Sequence, residues 1–347
     1  MTRWWMLGAA LLVACSGSAP EPQVTASGRT PIRIGWQTTW ATQGQLAVAL
    51  MDTTILEEHG FDATFHGFPY GGPLNEGALA GSVDVLFTAD QPAVALGAKA
   101  RNWGIIGRLM ANRVGTFVPP DSPIQTAADL KGRTVVVPFG AAAHRATLGA
   151  IERAGLDPGN DVTVANLGLQ EIVGLVGAGA ADGKWGATDA AAAWDPAFAN
   201  LEYTGAVRPI DTTTITSVVV MDDRFEAAHP GSNERFMQAM HTAYDFVRTD
   251  PDRLAGWFKD KSDLPFDVGV LALAASVEPN LSAQSAAEMR VHLTPDEVKG
   301  IEAAADFMHT SGLLRTPANV SSIIRETALQ PVVPKLSADA VTVKKVP

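Results

Sequence analysis

The sequence predicts an α/β fold of two lobes around a cleft, with a mostly helical C-terminal third. Three observations carry that expectation. Short β-prone segments alternate with longer helical patterns through the first two thirds of the chain, as in parallel sheets with helical crossovers. Beyond Met221 the alternation stops and helical periodicity takes over. Two stretches in between, the turn-rich 118–123 and the threonine run within 210–217, mark places where the chain would cross from one lobe to the other.

Strands are predicted at 32–37, 63–67, 83–88, 134–138, 162–167 and 217–221, most of them bounded by Gly, Pro or Asp. Helices are predicted at 43–59, 72–80, 89–100, 141–154, 169–177 and 190–201, then at 233–248, 251–259 and from 294 onward. The last start is the best marked. Thr294 supplies an N-cap hydroxyl, Pro295 suits the first helical position, where an amide donor has no partner anyway, and Glu297 completes a capping box. The crossings divide the body into a first lobe of two chain segments, 31–118 and 215–330, and a second lobe, 119–214, inserted between them. A single larger doubly wound domain is the alternative the length allows, and it sits less well with a helical last third.

The first residues place Arg3 before an apolar stretch, 4–14, that is too short to cross a bilayer as a helix, and residues 1–15 read as a signal peptide. Leu12, Val13, Ala14 and Cys15 resemble the bacterial lipobox, which implies cleavage before Cys15 and a lipid on its sulfur. The alternative is a short N-terminal anchor with an incidental cysteine. Cys15 is the only cysteine, so the body holds together without a disulfide. Residues 16–30, rich in Ser, Gly, Pro and Ala, read as a solvated tether, and the proline-punctuated 331–347 as a loose tail. The protein is thus expected to be exported and lipid-anchored to a membrane, facing the periplasm or the cell exterior.

A net charge of -11, with Lys and Arg scattered, argues against a nucleic-acid partner, because phosphate binding needs a basic face. Enzymatic constellations are missing as well. The sequence contains no G-x-S-x-G, H-E-x-x-H or P-loop pattern, and GAGAAD at 177–182 lacks the last glycine of a dinucleotide fingerprint. Seven histidines lie scattered with no close pair and no cysteine partner. No enzyme, cofactor or metal is expected, and the chain is expected to be monomeric.

DSPIQTAADLKGRTVVVPFG at 121–140 resembles the start of the second lobe in the solute-binding proteins of nitrate, sulfonate and taurine importers, where a "dLkGk" turn leads into a strand and a Gly-led helix. IRIGWQ at 32–37, GALAGSVDVLFTAD at 77–90 and AAAAWDPAFANLE at 190–202 keep the order of that family. The resemblance spans about residues 31–330. It implies a periplasmic-binding-protein-like fold of type II, in which ligand binds between two lobes that close about a two-strand hinge. It also implies a function: a lipid-anchored receptor of an ABC importer that passes a small organic solute, a sulfonate or similar oxyanion foremost, to a permease and its ATPase. The alternative is a lipoprotein interaction module with the same fold and no small-solute ligand, suggested by Ala141, Ala142 and Ala143, where relatives often carry hydroxyls.

Open α/β sheets bind ligands beyond the carboxyl ends of their strands, where helix N-termini face the cleft. That rule selects Gln37, Thr38, Thr39 and Trp40 after the first strand, Tyr70, Gly71 and Gly72 after the second, and Thr88, Asp90 and Gln91 after the third. Thr38 and Thr39 offer hydroxyls to a polar ligand or cap the next helix, and Trp40 offers a flat apolar wall. Asp90 either caps its helix or faces the cleft, where it would repel an anion and favour an amine or a hydrogen-bond donor. In the second lobe, Gly140, Ala141 and Ala142 open a helix whose N–H groups can cradle an oxyanion, and His144 either adds charge or packs. Trp194 and Asp195 belong to the family's "WDP" element, with Trp194 as the second-lobe wall or as a ring packed beneath the surface.

Overall fold

The computed structural model describes residues 25–179, 185–262 and 264–344. The expected signal peptide, Cys15 and the tether up to residue 24 lie outside the described residues. Among those residues eight strands form one sheet: β1 (Thr30–Gln37), β2 (Phe61–Phe68), β3 (Val85–Ala89), β4 (Trp103–Val118), β5 (Thr134–Val137), β6 (Thr163–Asn166), β7 (Ala190–Trp194) and β8 (Arg208–Asp222). Their order is β2-β1-β3-β8-β4-β7-β5-β6. The first-lobe helices before the crossing are α1 (Ala41–Asp52), α2 (Ile55–Glu58), α3 (Gly71–Leu79) and α4 (Asp90–Lys99). The second lobe carries α5 (Ala142–Arg153), α6 (Leu169–Ala178) and α7 (Ala197–Tyr203). The chain then returns through α8 (Asp223–Ala228), α9 (Ser232–Thr249), α10 (Pro251–Ser262), α11 (Val268–Ala275) and α12 (Pro295–Thr310).

Parallel pairing holds at both ends of the sheet, β1 with β2 and β3 on one side, β5 with β6 and β7 on the other. The middle is antiparallel. β4 and β8 pair from Trp103 and Asp222 at one end to Val118 and Arg208 at the other, so this two-stranded ribbon runs through both lobes. β3 borders β8 at residues 217–221, and β7 borders β4 at 114–117. The crossing therefore lies near 111–113 on β4 and 213–216 on β8. The second position falls inside the threonine run. The first corrects the expected crossing at 118–123, because by then β4 has already paired with β7.

β4 carries no predicted strand because it lacks alternation. Nearly every residue of it is buried, on both faces of the sheet, so apolar and polar positions do not alternate along it. Its register with β8 also shifts between Ile105 and Gly107 and again between Arg108 and Met110. Such bulges re-aim single residues. Here the Arg108 amide bonds Val291 O at 2.8 Å instead of β8, and Gly107 lies so close to Met237 and Val291 that a Cβ would clash with both.

The Arg108 side chain meets Glu278 through two hydrogen bonds of 2.9 and 2.8 Å, with 2% and 0% of the two side chains exposed. Glu278 also accepts the amides of Ala111 and Asn280, at 2.6 and 3.0 Å. Arg108 reaches Glu297 as well, at 2.8 Å. Against the cost of burial, Arg290, the Thr294 amide and Arg108 hold the Glu297 carboxyl down to about 2. Glu297 thus joins the hinge while completing the capping box expected at Thr294.

β7 corrects the helix expected over 190–201. Four alanines favour a helix by propensity, but packing overrides it. Ala190 and Ala192 face the main core, Ala191 and Ala193 face a second cluster around Phe117 and Phe198, and the short side chains let both layers approach. The helix starts only at Ala197. The helix expected over 43–59 is broken at Thr53, whose hydroxyl donates back to Ala49 O at 2.6 Å. The tail is not loose up to Lys344: Thr54 N–H donates to Thr342 O at 2.9 Å, Lys344 N–H to Asp52 O at 2.7 Å, and Ala338 N–H to Asp245 Oδ2 at 2.9 Å.

A Glu278→Gln substitution leaves the buried Arg108 short of a full counter-charge. We expect a loss of about 3 kcal/mol or more, read as a lower urea midpoint at unchanged slope. The double replacement Arg108→Met with Glu278→Leu should return most of it, and an unchanged midpoint in the single variant would show that the pair carries no stability.

Candidate functional site

The carboxyl ends of the parallel strands in both lobes open on a shared cavity of about 700 Å³. From the first lobe it is lined by Gln37, Thr39 and Trp40 after β1, Pro69, Tyr70, Gly71, Gly72 and Asn75 after β2, and Ala89, Gln91, Pro92 and Ala95 after β3. The second lobe contributes the turn from Pro138 to Ala142, the turn from Gly168 to Glu171, and Trp194 at the end of β7. Ile215 of the hinge strand β8 and Met308 of α12 close it.

Most of the residues expected from the strand-end rule are therefore brought together. Gln37 is buried, its Nε2 donating to Phe87 O at 3.3 Å and Thr88 Oγ1 at 3.4 Å, while its own amide donates to Gln43 Oε1 at 2.6 Å. Thr39 Oγ1 donates to Pro69 O at 3.3 Å, so neither threonine caps α1, whose N-cap is Trp40 without a side-chain bond. Trp40 is only 5% exposed, and its indole Nε1 has no hydrogen-bond partner among the described residues. Gly140 takes φ +78° at the turn into α5, a conformation open to glycine, and lines the cavity with Ala141 and Ala142.

Five expected residues lie off the cavity wall. Thr38 is held by its amide to Phe68 O at 3.0 Å, and Thr88 is buried beneath Gln37. His144 is stacked on Phe139 at 4.4 Å and edge-on to Phe307 at 5.4 Å, with Nδ1 accepting the Gly140 amide at 3.3 Å. Burial lowers its pKa. Asp195 is buried against Arg113 at 3.0 Å; burial, opposed by that guanidinium, pushes it up to about 6. Asp90 opens α4, accepts the Gln91 amide at 2.7 Å, and forms an ion pair with Arg145 of the other lobe. Burial pushes the Asp90 carboxyl up, and Arg145 pulls it back.

Asp90 is thus neither a bare cap nor a charge facing the cleft. It belongs to a bridge between lobes, in which Arg145 also donates to Gln91 Oε1 at 3.3 Å and Gly300 O at 3.2 Å. Gln91 Nε2 completes the bridge by donating to Gly140 O at 2.8 Å. Among the lining residues only Glu171 is formally charged, and its carboxylate accepts the Gly168 amide at 2.7 Å.

The turn 168–171 follows the sixth strand and was open to the same strand-end rule. Phe139, half exposed at the cavity mouth, stands directly before the Gly-led turn. Ile215 and Met308 carried no local signal, since the fold alone brings them to the wall.

The family model described as NMT1/THI5 like matches residues 76–254. The chain belongs to the NMT1/THI5-like family. Within reach of that family, the chain is 25% identical over 290 residues to the taurine-binding periplasmic protein of Escherichia coli, covering 78% of this chain and 85% of that protein. The periplasmic aliphatic sulphonate binding protein of Escherichia coli has the same fold, with a TM-score of 0.72 at 19% identity over 91% of this chain and 96% of that chain. The desulfurization enzyme DSZB shares it too, with a TM-score of 0.60 at 18% identity over 86% of this chain and 98% of that one. The architecture is therefore the two-lobe periplasmic-binding-protein fold, and its function is decided by the site it carries.

An Asp90→Asn substitution removes the charge that Arg145 meets across the lobes. The expected outcome is a larger radius of gyration in solution scattering without loss of fold, and a radius equal to that of the unsubstituted protein would show that the bridge does not hold the lobes together.

Proposed function

We propose that this protein is a lipid-anchored extracytoplasmic receptor of an ABC importer, which captures a small organic solute between its lobes and presents it to a permease and its ATPase. The observation that carries the reading is the cavity itself. It is walled by both lobes at the strand ends, and the residues that line it, Gln91 and Gly140, also bond the lobes to each other. A ligand there touches both halves and favours the closed arrangement by its differential contacts.

The taurine- and sulphonate-binding relatives support a small organic solute. A sulfonate, which the resemblance favours, has neutral donors and helix N-termini to receive it and one carboxylate, Glu171, to oppose it. The shared fold of a desulfurization enzyme makes the lining the deciding feature. Its hydroxyls are Thr39, bonded to Pro69 O, and Tyr70. The interaction-module reading rested on the alanines after Gly140, and two of them, Ala141 and Ala142, line the cavity, which favours a ligand there.

A thermal-shift screen across sulfonates, amides, pyrimidines and amines tests capture. Ligand at 100 times Kd adds about 2.7 kcal/mol of stability, which reads as a rise of some degrees in a chain of this size. The same ligand should compact the protein in scattering. A flat response to every class would count against a receptor.

The anchor rests on the resemblance of residues 12–15 to a lipobox. Growth with a fatty-acid probe should label the protein and leave Cys15→Ala unlabelled; equal labelling of both would remove Cys15 as the attachment point.

A further inference from the structure

We propose that the cleft selects an organic ammonium compound, whose positive charge is met by the Glu171 carboxylate and by the aromatic rings of the wall. This rests on the receptor reading and specifies its ligand class.

The first observation is a charge that stands on the wall and is open to solvent. Among the described residues Glu171 is the one formally charged residue lining the cavity, and unlike the buried Asp90 and Asp195 it is exposed. The start of α6 fixes its place. Glu171 is the third residue of that helix, and its Oε2 accepts the Gly168 amide at 2.7 Å in a capping-box arrangement. An ionised carboxylate has about four acceptor sites, so one amide leaves room for the N–H donors of a ligand.

The second is what shares the wall with it. Phe139 and Trp194 line the cavity from the same lobe as Glu171, and Trp40 and Tyr70 line it from the other. Tyr70 and Phe139 are 57% and 50% exposed, so their rings are within reach of a ligand. Aromatic faces attract a cation through the ring quadrupole, and more strongly once water is excluded. The same negative faces repel an anion and add no charge interaction to a neutral compound.

The third is the charge behind the wall. Arg145 is paired with Asp90, and Arg113 is shared by Asp195 and Glu202, so neither arginine offsets Glu171. The net charge of -11 carries the same sign to long range, where it draws cations toward the protein. For an ammonium group Glu171 is a counter-ion, and for a sulfonate it is a like charge.

The test titrates the full chain by calorimetry at neutral pH with three matched probes: 2-phenylethylammonium, 2-phenylethanol and 2-phenylethanesulfonate. We expect the ammonium probe to bind at least about tenfold more tightly than either of the others, with an affinity that falls as salt is raised. Glu171→Gln keeps a residue able to complete the capping box. It should weaken the ammonium probe about tenfold and leave the alcohol unchanged, while circular dichroism and melting stay those of a folded chain. Equal or tighter binding of the alcohol or the sulfonate overturns the inference and leaves the receptor reading standing. Undiminished ammonium affinity in Glu171→Gln overturns it in the same way. No heat from any of the three overturns it too, and the broader thermal-shift screen then decides on the receptor reading.

Discussion

The buried pair of Arg108 and Glu278 is the constraint on which the arrangement of the two lobes depends. Both charges are almost wholly withdrawn from water, which is tolerable only because every oxygen of Glu278 is bonded and each nitrogen of the Arg108 fork named above has a carboxylate. The pair fastens β4 to the segment that follows α11 and, through Glu297, to the start of α12. The helical last third is thereby made part of the first lobe. Beyond Ala111 the anchorage ends, and only the ribbon of β4 with β8 carries the chain into the second lobe. The ribbon is thus clamped to a large body at its first-lobe end.

Much of this was legible in local pattern. The strands β1, β2, β3, β5 and β6 fall on short β-prone segments, most of them bounded by Gly, Pro or Asp, and the rule that ligands gather at their carboxyl ends selects Gln37, Trp40, Gly71 and Gly140 directly. Cap chemistry places α12 because Thr294, Pro295 and Glu297 each act within one turn. What escaped the sequence was decided by distance. β4 is buried on both faces and bulged, so it shows neither alternation nor a clean run, although it is the longest strand described. β7 reads as helix because alanine propensity is local while the need for thin side chains between two packed layers is not.

Asp90 shows the same limit at the level of one side chain. Its position at a helix start offered two readings, a cap or a cleft charge, and both treat the carboxylate as answering to its own neighbourhood. Its partner, Arg145, lies 55 residues away on the other lobe. Once the two meet, the charge of Asp90 is consumed in holding the lobes together and no longer speaks to the ligand. His144 is similar, since the rings of Phe139 and Phe307 that pack against it come from different lobes.

The first turns of α4 and α5 consequently do two jobs on two sides. Toward one side they present Asp90 and Arg145 to a crevice of about 910 Å³ that also includes Arg108 and Glu297, so the charges of lobe closure and of the hinge share one environment. Toward the other, Gln91 and the turn from Gly140 to Ala142 face the cleft, whose lining carries one formal charge, that of Glu171. Separating the two has a physical consequence. Because Asp90 and Arg145 lie off the cavity wall, a ligand in the cleft need not displace their ion pair. The alanines that at first suggest a lost binding site fit this division: Ala141 and Ala142 line the cleft, while Arg145 of the same helix pairs with Asp90 away from it.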